Sequence, residues 1–130
     1  MENYIKKNNL SDFIFLKGNQ TQETVKNAYI DNHFVVLPSK SEGWPKAIAE
    51  AMFWGCLPIA TNVSCVSNMV DYGERGVLLE MNLEKDREQI EILLNNQELY
   101  HDKVIKAMNW SRKYTIDFFE DEIRKLIVRV

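Results

Sequence analysis

The sequence predicts an α/β fold: a partial, Rossmann-like parallel sheet flanked by helices and followed by C-terminal helices. Short apolar runs of strand length alternate with helix-like segments through the first two thirds of the chain, and the last third shows only helical periodicity. The short runs are apolar at successive positions, which is typical of parallel strands buried on both faces. A chain of 130 residues is expected to form one small domain.

Four segments are predicted to be strands. Each is a run of mainly apolar residues that ends at or shortly before a glycine, a proline or a polar turn residue. These segments are residues 13–16, 34–37, 57–60 and 76–80.

Six segments are predicted to be helices. Thr21 is a suitable N-cap for the first, and Pro45 fits the first turn of the second, where its missing N–H costs nothing. Gly55 stops the second helix, and the last helix carries an amphipathic apolar stripe. The predicted helices are residues 21–31, 45–54, 66–71, 84–95, 98–113 and 116–130.

Composition excludes several classes of protein. A net charge of −3 argues against a nucleic-acid binder with a broad basic face, and no apolar run approaches the ~20 residues of a membrane span. No glycine-rich loop of the P-loop or dinucleotide-binding type occurs. Cys56 and Cys65 are expected to be free thiols of a cytoplasmic protein, and neither belongs to a cluster with metal-ligand spacing.

The stretch HFVVLPSKSEGWPKAIAEAMFWGCLPIAT, residues 33–61, is the most informative part of the chain. It predicts a buried strand, a polar loop, a helix and a second strand, with Glu42 before the helix and Glu50 within it. A helix N-terminus offers unpaired N–H groups to an anion, and Glu50 lies about 7.5 Å along the axis from Pro45. A diphosphate and a neighbouring ribose suit that separation. The alternative is that both glutamates are solvated surface residues.

Residues 37–61, LPSKSEGWPKAIAEAMFWGCLPIAT, resemble the pattern P-S-x-x-E-G-x-x-x-x-x-x-E-A-M-A-x-G-x-P-V-V-A-T of retaining nucleotide-sugar glycosyltransferases, family 4 (group 1). The family's E-x7-E element falls on Glu42 and Glu50. Residues 13–18 and 76–79 resemble two further strands of the family. The resemblance implies the C-terminal part of a GT-B fold. Two bulky residues, Phe53 and Trp54, depart from the small residues that are usual there.

The resemblance implies a sugar-binding loop after the second predicted strand. Glu42 is implied to hydrogen-bond the hydroxyls of the donor sugar and is the residue expected to act in catalysis. The backbone N–H groups of Gly43 and Trp44 are implied to orient that sugar, and Ser39 lines the same loop. For the Trp44 side chain, a place in the sugar site and a place at the edge of the core stay equally open.

The resemblance also implies a nucleotide site on the helix that follows. Lys46 and Ala47, at the helix start, are implied to face the diphosphate, and Glu50 to accept hydrogen bonds from the ribose hydroxyls. Gly18, after an earlier strand, is implied to border the nucleobase. The donor is a nucleotide-diphosphate sugar, and no cofactor or metal is expected.

The resemblance covers the donor-binding region only. Residues 1–130 are therefore expected to be a single partial domain, with the N-terminal domain that binds a glycan or lipid-linked acceptor absent and this chain alone inactive. The expected role is in polysaccharide biosynthesis, with peripheral membrane association of the full-length enzyme as an option. One alternative is a non-catalytic remnant that dimerises through exposed apolar helix faces. Another is a glycosidase using both glutamates, which requires carboxyl groups about 5–9.5 Å apart across an open cleft.

Overall fold

The computed structural model describes residues 1–128 and contains a three-stranded parallel sheet. The strands are β1 (Phe34–Leu37), β2 (Leu57–Thr61) and β3 (Val77–Leu79), in the spatial order β1-β2-β3. Phe34 pairs with Leu57 and Ile59 pairs with Val77, which sets the register of both ladders. The predicted α/β class with a parallel sheet is confirmed, and three of the four predicted strands are present.

Seven helices accompany the sheet in the described part of the chain. A 3₁₀ turn, Asp71–Gly73, follows the fourth of them. The helices are α1 (Glu2–Lys7), α2 (Gln22–Asp31), α3 (Lys46–Phe53), α4 (Val66–Met69), α5 (Leu83–Leu94), α6 (Gln97–Ser111) and α7 (Ile116–Val128).

The hydrophobic core lies around β2, whose five residues are all buried. Helix α3 packs against β1, β2 and α6, and it contributes Ile48 and Met52, both with no exposed surface. The small, fully buried Ala51 lets the backbone of α3 lie close to its neighbours in the core. The core thus holds α3 tightly on the strands that precede and follow it.

Local sequence signals account for several element ends. The Thr21 side chain accepts a hydrogen bond from the Thr24 N–H at 3.2 Å, as expected for the N-cap of α2. Asn82 and Asn96 cap α5 and α6 in the same way. The predicted helix over residues 66–71 is shorter, because Asp71 and Tyr72 have positive φ values that end α4 in a 3₁₀ turn.

The predicted strand over residues 13–16 is wrong. The segment pairs with no strand among residues 1–128, and Phe13 and Phe15 are 78% and 66% exposed. A strand requires a neighbour that satisfies its backbone groups, and an apolar run supplies no such neighbour. A polar N-terminal segment, for which no element was predicted, instead forms α1, with Ile5 buried.

Helix α7 forms where the apolar periodicity predicted it, and residues 129 and 130 of that prediction lie outside the described residues. None of its side chains is buried on this domain, and Phe119 and Leu126 are more than half exposed. The stripe on α7 therefore adds little to the core that surrounds β2.

Gly76, just before β3, is expected to tolerate no side chain. A Cβ atom there would lie 2.7 Å from the Pro58 carbonyl oxygen and 2.9 Å from Pro58 Cγ. Because one obstacle is the backbone of β2, we expect Gly76→Ala to lower the free energy of unfolding by about 1–3 kcal/mol. Urea denaturation measures this. Gly43→Ala is the control, since a Cβ there meets nothing within 4 Å; an equal loss in both variants would contradict the steric explanation.

Candidate functional site

The loop between β1 and α3 lies at the carboxyl end of a parallel strand, where α/β folds commonly bind ligands. Ser39 and Glu42 are partly buried in this loop, and Gly43 and Trp44 are exposed. The predicted site residues from Ser39 to Ala47 therefore lie in this loop and in the first turn of α3.

The first turn of α3 presents free N–H groups. Pro45 is the buried N-cap residue in an extended conformation, and the Ile48 N–H donates to its carbonyl oxygen at 3.0 Å. Lys46 and Ala47 precede the first possible i→i−4 bond, so their N–H groups have no carbonyl of the helix to bind. The exposed ammonium of Lys46 adds positive charge at the end where the helix dipole also favours an anion.

Glu42 and Glu50 keep their carboxylate oxygens available. Neither side chain takes part in an ion pair or a side-chain hydrogen bond within residues 1–128. A carboxylate accepts hydrogen bonds only, so both are suited to bind hydroxyl groups. Glu42 belongs to the loop and Glu50 to the second turn of α3.

A cavity of about 560 Å³ lies between α2 and α3 beside Glu50. Its lining includes polar side chains from both helices and from the loop before α2. The residues are Gln20, Gln22, Glu23, Val25, Lys26, Tyr29, Glu50 and Trp54. Glu42 is not among them, so the two glutamates do not face each other across this cavity. That separation weighs against the glycosidase alternative, which needs both carboxyl groups at one sugar.

Tyr29 and Lys26 of α2 lie close to Glu50 of α3 and to Trp54 at the end of that helix. The pKa of Tyr29 is raised, first by burial of the phenol and then by the negative charge of Glu50. The Lys26 ammonium lies 4.4 Å from the centre of a Trp54 ring, within cation–π range. Trp54 follows Glu50 by four residues and therefore shares its helix face. Trp54, which departs from the small residue usual at its position in the family, also lines the cavity.

Gly18 is exposed in the loop before α2, with φ +64. It does not line the cavity itself, but Gln20, two residues further on, does. The structure thus brings the loop that contains Gly18 to the same side of α3 as Glu50. The sequence did not identify Tyr29 and Lys26 as site residues. They belong to the site because they lie on the face of α2 that is next to Trp54.

Trp44 joins the loop to α6. Its ring centroid lies 6.2 Å from that of Trp110, which is itself 5.0 Å from Tyr114 and beneath the Arg75 guanidinium. Trp110 packs on the core, whereas Trp44 is 54% exposed. Trp44 therefore anchors the loop at the core edge while leaving half of its indole accessible.

The two thiols differ in environment. Cys56 is buried, and burial raises its pKa from 9.0 to about 11. Cys65 is partly exposed, and its Sγ donates a hydrogen bond to the carbonyl oxygen of Gly43 at 3.0 Å. Both are free thiols, as predicted. Nothing in the sequence pointed to the contact between Cys65 and the loop.

The buried Cys56 thiol makes stability depend on alkaline pH. Between about pH 9 and pH 11 the unfolded thiol loses its proton and the folded thiol keeps it, so ionisation favours unfolding and stability falls as pH rises. Cys56→Ala removes this dependence. We expect the destabilisation caused by Cys56→Ala to be smaller at pH 10.5 than at pH 8, as measured by urea denaturation. If Cys56→Ala lowers the free energy of unfolding by the same amount at both pH values, the pKa assigned to Cys56 is wrong.

Two negative findings apply to residues 1–128. No three His, Cys, Asp or Glu side chains converge in a way that would hold a metal ion. No helix in that range is both long and apolar enough to cross a lipid bilayer.

Comparison with known proteins agrees with the α/β architecture. Residues 1–110 match the family described as glycosyl transferases group 1. An uncharacterized glycosyltransferase of Methanocaldococcus jannaschii is 33% identical over 127 residues, which are 97% of this chain and 36% of that protein. An uncharacterized glycosyltransferase of Haemophilus influenzae is 33% identical over 101 residues, 76% of this chain and 29% of that protein. The chain spans about a third of the length of these curated relatives, and it belongs to the group 1 glycosyltransferases.

Proposed function

We propose that these residues bind the donor substrate of a retaining sugar transfer, a nucleoside diphosphate sugar, as in family 4. The observation that carries the proposal is the arrangement along α3. Free N–H groups of Lys46 and Ala47 stand at the helix start, and Glu50 lines a cavity further along the same helix. One rigid element therefore offers an anion site and a hydroxyl acceptor at a fixed separation.

The nucleotide is proposed to lie along the exposed side of α3. The diphosphate binds at the helix start, where the N–H groups and Lys46 supply positive charge. Glu50, about 7.5 Å further along the axis, accepts hydrogen bonds from the ribose hydroxyls. The cavity between α2 and α3 receives the nucleobase, with Gln20 at its margin and Gly18 in the adjoining loop.

The sugar is proposed to lie against the loop after β1. Glu42 accepts hydrogen bonds from its hydroxyls, and the Gly43 and Trp44 N–H groups orient it beside Ser39. As the bond between the sugar and the β-phosphate breaks, negative charge grows on the departing phosphate. The preorganised charge at the α3 N-terminus stabilises that charge, which is the main contribution these residues make to the reaction. No metal is needed in this scheme.

The acceptor is proposed to be a glycan or a lipid-linked sugar, held by parts of the enzyme other than residues 1–128. The sugar transferred is proposed to be a hexose, from a donor made in the cytoplasm for polysaccharide synthesis. Support comes from membership of the family and from the accessibility of the proposed donor site, since Lys46 and Glu50 are exposed and Glu42 is partly exposed.

Calorimetry on the intact protein tests the proposal. UDP-, GDP- and ADP-sugars are titrated, together with the matching nucleoside monophosphates and free glucose. We expect one nucleotide sugar to bind, its diphosphate to bind more tightly than the monophosphate, and glucose alone to bind undetectably. The absence of binding by all three nucleotide sugars would overturn the site assignment.

A further inference from the structure

We infer that Cys65 is a positioning residue for the donor sugar, because its thiol fixes the orientation of the peptide group between Gly43 and Trp44. The inference rests on the proposed function of the loop after β1. Its basis is the hydrogen bond from Cys65 Sγ to the Gly43 carbonyl oxygen, at 3.0 Å. This bond joins the loops that follow two neighbouring strands, β1 and β2, across 22 positions of sequence.

The thiol is held in place from the side of the core. Cys65 packs against the core cluster, and its Sγ lies 4.0 Å from the sulfur of Met69, which has no exposed surface. A thiol has one proton, and a carbonyl oxygen at 3.0 Å is a better acceptor than a thioether at 4.0 Å. The hydrogen bond is therefore directed at Gly43 while the core keeps the sulfur from moving.

The backbone before Cys65 adds to this placement. Ser64 has φ +52, a left-handed conformation that is costly for a residue with a side chain. It turns the chain between β2 and α4, and Cys65 is the N-cap residue of α4. The turn sets Cys65 over the β1 loop.

Fixing the Gly43 carbonyl also fixes the Trp44 N–H. The carbonyl and the following N–H belong to one planar trans peptide group and point in opposite directions. With its oxygen directed at Cys65, the group must direct its N–H away from α4. Among residues 1–128 this N–H donates to no protein acceptor, so it stays available to a ligand. Without the thiol, rotation of this peptide would turn the donor away and present a carbonyl oxygen instead.

Trp44 contributes a second restraint at the same peptide. Its indole lies 6.2 Å from that of Trp110, so the side chain is held from α6 while the carbonyl is held from the β2 loop. Gly43 has no Cβ and a Cβ there would meet nothing within 4 Å, so packing of its own cannot hold the peptide. Within residues 1–128, the Cys65 thiol is the group that restrains the Gly43 carbonyl oxygen directly.

Substitution of the two cysteines tests this positioning role. The probe is whichever of UDP-glucose, GDP-mannose and ADP-glucose the wild-type protein binds, together with the matching nucleoside diphosphate. We expect Cys65→Ala to weaken binding of the nucleotide sugar by about tenfold, which corresponds to the loss of one well-placed hydrogen bond. Binding of the nucleoside diphosphate should weaken by less than about twofold. Cys65→Ser retains a donor and is expected to restore most of the affinity.

Cys56→Ala is the matched control, because it removes the other thiol without touching the loop. We expect Cys56→Ala to leave unchanged the ratio between the affinity for the nucleotide sugar and the affinity for the nucleoside diphosphate. In ¹H–¹⁵N spectra of the free protein, Cys65→Ala should move the Trp44 amide resonance and Cys65→Ser should move it less. If Cys65→Ala weakens both ligands equally, or neither, the positioning role is wrong although the proposed function stands. If the wild-type protein binds no nucleotide sugar, the proposed function fails first.

Discussion

Replacing Glu50 by alanine is expected to weaken binding of a nucleoside diphosphate sugar by about tenfold to a hundredfold. A hydrogen bond to a charged group contributes about 1.5–3 kcal/mol, and the loss of one such bond to a ribose hydroxyl corresponds to this range of affinity. Glu50 makes no ion pair within residues 1–128, so the substitution leaves no partner charge uncompensated. Calorimetry with the wild-type protein and the variant measures the ratio.

The comparison of ribose with 2′-deoxyribose makes this prediction specific. The wild-type protein should prefer the ribonucleotide, and Glu50→Ala should remove most of that preference. Glu23→Ala is the control, because Glu23 lines the same cavity and its loss changes the charge there equally. If Glu23→Ala weakens binding as much as Glu50→Ala does, or if Glu50→Ala keeps the preference for ribose, the ribose contact is wrong.

Replacing Ile48 by alanine is expected to lower the free energy of unfolding by about 2–5 kcal/mol, the range for truncating a buried aliphatic side chain. Ile48 is completely buried and belongs to the same core cluster as Met52 and Leu57. Because the total stability of a small domain is about 5–15 kcal/mol, this loss is a large share of it. Urea denaturation followed by circular dichroism measures the change.

Ile92 on α5 offers a matched control for Ile48. It is the same residue type within a helix, but it is 54% exposed. Ile92→Ala is expected to change stability by less than about 1 kcal/mol, because most of its surface already faces water. Similar losses in the two variants would show that the packing of α3 on β2 does not dominate the stability of the domain.

The segment over residues 33–61 was predicted well because its signals are local. Proline at positions 38 and 45 and glycine at 55 mark the ends of elements through their own backbone restrictions. The apolar runs between them are short enough for strands and are confirmed as β1 and β2. The same locality explains why the motif that contains Glu42 and Glu50 indicated a glycosyltransferase, and the family is shown by the comparisons.

The segment over residues 13–16 was predicted badly because strand formation is not local. Its apolar run has the composition of β1, but a strand forms only where a partner satisfies its N–H and C=O groups. For helix α7, too, the local pattern predicted only part of what the structure contains. Its periodicity predicted the helix correctly, since those hydrogen bonds lie within the segment, but could not show that the apolar face lies exposed.

The sequence by itself determined the class of fold, most of the helices, the segments that became the three strands, and the loop and helix that identify the family. These follow from backbone restrictions and hydrogen bonds between residues near one another in the chain. The tertiary structure alone decided which apolar run joins the sheet, that Tyr29 and Trp54 line a cavity beside Glu50, and that the Cys65 thiol donates to the Gly43 carbonyl. Those outcomes depend on burial and on partners from distant parts of the chain, so the local sequence pattern does not predict them.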